Sequence, residues 1–172
     1  MKIAVFIANG TEEIEALTPV DVLRRGGAEV ELVSVNGEYP KGSHGIVVKA
    51  DKVIEETDFS AYDAVVIPGG MPGATNISEN ALATEAIKAM NAENKLVAAI
   101  CASPAVVLKK LGVIEGKKAT CYPADTFINE LGDGYTGSDV EEDGNVITAN
   151  GPKSAMKFTL AICNKLGLNP KF

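Results

Sequence analysis

"VAAICASPAVVLKKLG" (residues 97–112) decides how the chain is read. Val97, Ala98, Ala99 and Ile100 make a short apolar run without polar alternation, the pattern of a strand covered on both faces. Ser103 and Pro104 then open an amphipathic run. Serine is a good helix N-cap, and proline suits the first helical position, where its missing N–H is not needed. The stretch predicts a strand that turns directly into a helix, with Cys101 at the corner. Open α/β sheets bind ligands at the carboxyl ends of their strands. A thiol at that edge meets unpaired helix amides and the positive end of the helix dipole, both of which favour a thiolate. The arrangement matches a nucleophile elbow, with Ala99 and Ser103 where that motif carries glycines. Position alone also allows an inert, buried cysteine.

Outward from this corner, strand and helix patterns alternate. Residues 2–8, 28–35, 63–69 and 95–101 read as strands, and 12–26, 79–91, 104–111 and 154–167 as helices, the last stopped by Gly167. Alternation of this kind predicts an α/β fold, a mostly parallel sheet with helices on both faces. Residues 36–56 break the rhythm with Gly-Glu and Gly-Ser turns and predict an inserted β-hairpin. Residues 141–151 predict a second hairpin, turning near Asp143-Gly144. At 172 residues and 46% hydrophobic content, the expectation is one domain over residues 1–172 with a substantial core.

Composition excludes several functions. A net charge of −7 without a basic run argues against nucleic acid, and scarce aromatics argue against single-strand binding. No apolar run approaches the roughly 20 residues that span a bilayer, and the first residues lack a secretory pattern, so the expectation is a cytoplasmic protein. Cys101, Cys121 and Cys163 are too few for a disulfide framework and form no CxxC or Cys/His pattern for zinc. Cys163 lies on an amphipathic helix and reads as core. Cys121 is read as ending a short strand in "KATCYP". "IPGGMPG" (67–73) follows a strand but lacks the Gly-Lys-Ser/Thr of a phosphate loop and any dinucleotide fingerprint, so no cofactor is expected. In "TEEIEA", Glu12 and Glu13 read as first-turn residues after a Thr11 cap, while Glu15 lies deeper in the helix.

Four blocks carry a family resemblance: "ANGTEEIEALTPVDVLRRGG" (8–27), "DAVVIPGGMPGATNISE" (63–79), "AAICASPAVVL" (98–108) and "ITANGPKSAMKFTLAI" (147–162). In content and order they resemble the DJ-1/ThiJ/PfpI superfamily, and together they span nearly the whole chain. The resemblance implies a flavodoxin-like three-layer sandwich and a homodimer. It also implies that Cys101 is the nucleophile and Glu15 the acid in contact with it. Glu15 would then be buried and protonated, because a carboxylate repels a thiolate. Gly69 and Gly70 are implied to line the pocket, with the amides of Gly70 and Ala102 forming an oxyanion-hole-like pair. Many members carry a histidine where this chain has Tyr122. His44, the single histidine, reads as a surface turn residue; under the resemblance, His44 or Arg25 would approach the partner's pocket.

Without that histidine, a Cys-His-Asp peptidase is poorly supported, since amide hydrolysis must protonate a poor leaving group. Addition of a thiolate to an aldehyde asks for less. The implied activity is therefore glyoxalase- or deglycase-like, on α-oxoaldehydes such as methylglyoxal or on glycated protein. The alternative is a stress sensor or chaperone controlled by oxidation of the same cysteine.

Overall fold

In the computed structural model, which describes all of residues 1–172, seven strands form one sheet. They are β1 (Lys2–Ile7), β2 (Glu29–Ser34), β3 (Lys52–Val53), β4 (Ala64–Ile67), β5 (Leu96–Ile100), β6 (Val140–Asp143) and β7 (Val146–Ala149). Their order is β3-β2-β1-β4-β5-β7-β6, and every pairing is parallel except β6 with β7. The helices are α1 (Glu13–Arg25), α2 (Gly73–Glu79), α3 (Ala81–Ala92), α4 (Asp125–Leu131) and α5 (Ala155–Leu166).

The central strands read as unbroken apolar runs because both sheet faces are covered. Side chains alternate with a period of two. Ile3, Val5 and Ile7 of β1 join Val66, Ala98 and Ile100 in the core that includes Leu23 of α1 and Phe158 of α5. Ala4 and Phe6 join Val65, Ile67, Val97 and Ala99 in the opposite core with Ile77, Ile87 and Met90. Each fully buried Phe or Ile side chain is worth about 2 kcal/mol relative to exposure. A one-residue register slip in β1 would exchange the two sets and is strongly opposed.

Several local expectations need correction. The helix expected over 79–91 is part of a helical pair, α2 and α3, broken at Asn80, whose side chain accepts the Ala83 N–H at 3.0 Å and so caps α3. The hairpin expected over 36–56 shrinks to one antiparallel bridge, Lys41 with Val47, and β3 pairs parallel with β2. Cys121 does not end a strand; nearby Ala119 makes an isolated bridge with Tyr135. The helix after Cys101 is a π-helix over Pro104–Lys109. Thr11 is no cap: it is buried, its Oγ1 accepts the Ala8 N–H at 2.9 Å, and Glu12 caps α1. The β6–β7 hairpin turns at Gly144-Asn145, and Gly167 ends α5 in the left-handed conformation. No helix is long and apolar enough to cross a membrane.

Candidate active site

The chain leaves β1 toward β2 on one side and continues from β4 to β5 on the other, so the sheet's switch point lies between β1 and β4. Crevices at such points, at the carboxyl ends of the strands, are where open α/β sheets hold ligands. Three segments meet there: Gly10–Glu15 after β1, Pro68–Gly70 after β4, and Cys101–Ser103 after β5. The Glu12 N–H donates to the Gly69 carbonyl at 3.0 Å, joining the first two.

Cys101 has φ +66°, which costs a residue with a side chain roughly 1–2 kcal/mol. The elbow is held from both sides. The Cys101 N–H donates to the Ala149 carbonyl at 2.8 Å, and the Tyr122 N–H donates to the Cys101 carbonyl at 2.7 Å. Ser103 also departs from expectation. It makes no cap; its buried hydroxyl donates to the Pro68 carbonyl at 2.6 Å and ties the elbow to the glycine turn. Sequence reasoning missed this role because a serine before proline signals a cap.

Glu15 is fully buried. Its Oε2 accepts the Gly69 N–H at 2.8 Å, while its Oε1, equally buried, has no partner of the ordinary kind. The carboxyl group and the backbone amides of Gly70 and Ala102 lie close enough to the Cys101 sulfur to bias its charge. Gly69 makes this approach feasible, since a Cβ there would lie 2.6 Å from Cys101 Cβ and 2.7 Å from Glu15 Oε2. Gly70 has φ +83°, and a Cβ on it would enter the backbone of residues 10–12.

Burial pushes the Glu15 carboxyl up to about 7, against the bonds from Cys101 and Gly69. Burial, together with the negative charge and hydrogen bond of Glu15, pushes the Cys101 thiol up to about 12, against the amides of Gly70 and Ala102. The expectation of a thiol acidified outright is thereby corrected, because the same fold that supplies the amides also buries the sulfur beside an acid. The two groups titrate as a pair, which sheds one proton near neutrality and resists losing the second. With that one charge on sulfur and the proton on Glu15, like-charge repulsion vanishes and the amides favour the thiolate.

Linkage makes the Glu15 shift measurable. Below pH 4.5 the carboxyl is protonated in folded and unfolded chains; between about 4.5 and 7 only the folded protein keeps the proton. Stability therefore falls as pH rises through that window, by about 3 kcal/mol, and levels off above it. Urea unfolding at pH 4.5 and 7.5 should show this loss in the parent and its absence in Glu15→Gln. An equal loss in both would place the unfavourable proton elsewhere.

The remaining candidates fall outside the thiol's contacts. Cys121 and Cys163 are buried, and burial raises both thiols, Cys121 to about 11. Arg25 is on the surface, paired with Asp21 at 3.0 Å. His44 is exposed as expected, yet its Nδ1 lies 3.2 Å from Glu12 and 3.1 Å from Glu13. These three could in principle offer ligand atoms to a cation, all within 4.8 Å of one another, but here they bond among themselves.

Glu13 was read as an ordinary first-turn acid and is instead buried. It accepts the N–H groups of His44 at 2.9 Å and Ile46 at 3.3 Å. Burial pushes its carboxyl up, but the backbone and His44 bonds win and hold it below its usual value. Glu13→Ala strands those donors and should cost about 2 kcal/mol. Faster amide exchange at His44 and Ile46 would accompany the loss; unchanged exchange would show that the carboxylate does not hold this loop.

Comparison with known proteins agrees with the fold and places the chain in a family. The model of the DJ-1/PfpI family matches residues 1–165. Protein DJ-1 homolog B of Arabidopsis thaliana is 37% identical over 96% of this chain, which spans 38% of that protein's length. The Parkinson disease protein 7 homolog of Danio rerio is 37% identical over 94% of this chain and 87% of its own. A structure of Toxoplasma gondii DJ-1, described as oxidized, superposes with a TM-score of 0.92 at 42% identity, covering 96% of this chain and 90% of that one. Fold, motif order and full-length similarity agree, and the chain belongs to the DJ-1/PfpI family.

Proposed function

We propose that the chain is a cofactor-free thiol enzyme of glyoxalase or deglycase type, acting on small α-oxoaldehydes such as methylglyoxal or on their adducts with protein. One observation carries the reading: a half-buried sulfur on a strained corner faces two amides and a buried carboxyl group with an unpartnered oxygen. The Cys101 thiolate adds to the aldehyde carbon, and the carbonyl electrons move to oxygen, which takes the Glu15 proton. The amides of Gly70 and Ala102 hold that oxygen as charge develops. Glu15 then removes the proton on the same carbon and delivers it to the neighbouring carbonyl carbon, while the hemithioacetal hydroxyl proton passes to the adjacent oxygen. The first carbon is oxidised and the second reduced, so no external electron carrier is needed. Water cleaves the resulting thioester, releasing a 2-hydroxy acid and Cys101.

Lactate formation from methylglyoxal without added glutathione tests the reading; its absence at every pH between 6 and 9 would end it. Peptidase chemistry finds less support, because Tyr122 occupies the position expected for histidine and His44 is bonded to Glu12 and Glu13. The resemblance also supports a cytoplasmic homodimer. Ile14 on α1 and Met156 on α5, 53% and 45% exposed, are apolar residues available for such a contact.

A second reading, an oxidation-controlled sensor or chaperone, is favoured by the relative described as oxidized. A protonated Glu15 Oε1 could donate to a sulfinate on Cys101. Mild peroxide should then add two oxygens at Cys101 and leave Cys121 and Cys163 unchanged.

A further inference from the structure

An open groove of about 440 Å³, walled by Tyr122, Pro123, Asn150, Gly151, Pro152 and Lys153, adjoins the backbone of Cys101. Both walls begin at the reactive corner. Tyr122 donates its N–H to the Cys101 carbonyl, and Ala149, which accepts the Cys101 N–H, immediately precedes Asn150. One wall is a flat apolar shelf. The Tyr122 ring packs on Gly151, where a Cβ would come 3.3 Å from Tyr122 Cδ2 and where φ is +149°.

Asn150 is committed, its amide donating to Asp139 and its carbonyl accepting from Ser154, but two other polar ends of this groove are free. The Tyr122 hydroxyl and Lys153 Nζ bond to no other group of the chain. The acid attached to this wall, Asp139, bonds to Asn150 and is already paired with Lys157 at 3.0 Å. In a chain of net charge −7, an ammonium and a phenol O–H standing free beside an aromatic shelf are complementary to an anion on a flat, apolar body.

Resting on the α-oxoaldehyde reading, we propose that this groove is a substrate subsite: it receives the far end of the molecule and selects α-oxoaldehydes with a planar apolar body ending in a carboxylate. Tyr122 supplies the stacking surface, and Lys153 the counter-charge.

Two matched reagent pairs test this. The first compares kcat/KM for 4-carboxyphenylglyoxal and phenylglyoxal. The second compares labelling of Cys101 by N-(4-carboxyphenyl)maleimide and N-phenylmaleimide, followed by mass spectrometry. Each labelling rate is divided by that of the same reagent with a small free thiol. A solvent-exposed charge pair predicts about a three-fold preference for the carboxylate in both pairs. The ratio should fall to about one in Lys153→Gln and below one in Lys153→Glu. A ratio near one in the parent, or a preference indifferent to both variants, overturns the subsite. Labelling needs no turnover, so the outcomes separate. A Lys153-dependent labelling preference without glyoxal turnover keeps the subsite and removes the enzymatic reading. Turnover with equal ratios in both pairs does the reverse.

Discussion

Cys101→Ala should abolish lactate formation from methylglyoxal, and Glu15→Gln should lower kcat by about 10²–10⁴-fold, the range for a general acid–base group. The two differ in kind. Alanine removes the only atom that bonds the aldehyde carbon, so no covalent path remains. Glutamine keeps the shape, and its amide can still donate to sulfur, but it cannot carry a proton between carbons. The pair's first proton leaves near neutrality, with Glu15 pushed up to about 7 by burial. Alkylation of Cys101 in the parent should therefore rise with a midpoint near 7. That step should disappear in Glu15→Gln. A parent profile rising at a much higher pH, with no step near 7, would mean that the proton comes from Glu15 alone and that the sulfur stays a thiol. Turnover undiminished in both variants would remove the pair from the chemistry.

Gly69→Ala should be a severely damaging single-methyl change in the candidate site. The added carbon would stand 2.6 Å from Cys101 Cβ, 2.7 Å from Glu15 Oε2 and 3.0 Å from the Ile100 carbonyl oxygen. None of these is the free end of a flexible chain. Cys101 is held at the elbow, Glu15 is buried, and the carbonyl belongs to a central strand. Overpacking of this kind costs about 3 kcal/mol, and relief would have to separate Glu15 from the sulfur. The variant should unfold at markedly lower urea and lose rapid Cys101 labelling. Gly27→Ala is the comparison: its φ of +87° is unfavourable for alanine, a penalty Gly69 does not carry, and no atom lies within 4 Å of the added carbon. Its cost should be about 1 kcal/mol, with labelling unchanged. A Gly69→Ala effect no larger than that of Gly27→Ala, with labelling kept, would show that the added carbon does not disturb the fit between acid and thiol.

The central strands were legible because their burial on two faces writes itself as uninterrupted apolar runs. The corner at Cys101 was legible because a helix-starting signal follows such a run at once. Other features left little trace. Gly73, Thr75 and Asn76 are poor helix formers, and α2 is helical through Ala74 and Ile77 packed against neighbours. Glu13 and Glu15 stand two residues apart with the same chemistry, yet each is buried against a different loop. Nothing in "TEEIEA" distinguishes the one that holds His44 from the one that meets the thiol; the family resemblance did so for Glu15 alone. Ser103 carried a cap signal and performs another task, since the proline carbonyl it reaches lies 35 residues earlier. The acidified thiol was expected from dipole arguments that count amides and omit the cost of burial beside a carboxyl group.

The contacts that join acid, turn and elbow are all distant along the chain: Glu15 to Gly69 spans 54 positions and Ser103 to Pro68 spans 35. None can form until β1, β4 and β5 are aligned. A nascent or damaged polypeptide consequently carries Cys101 without its acid and amide neighbours, and the surroundings that the proposed chemistry requires exist only in molecules that have completed their assembly. Topology thus makes the thiol's surroundings a reporter of complete folding.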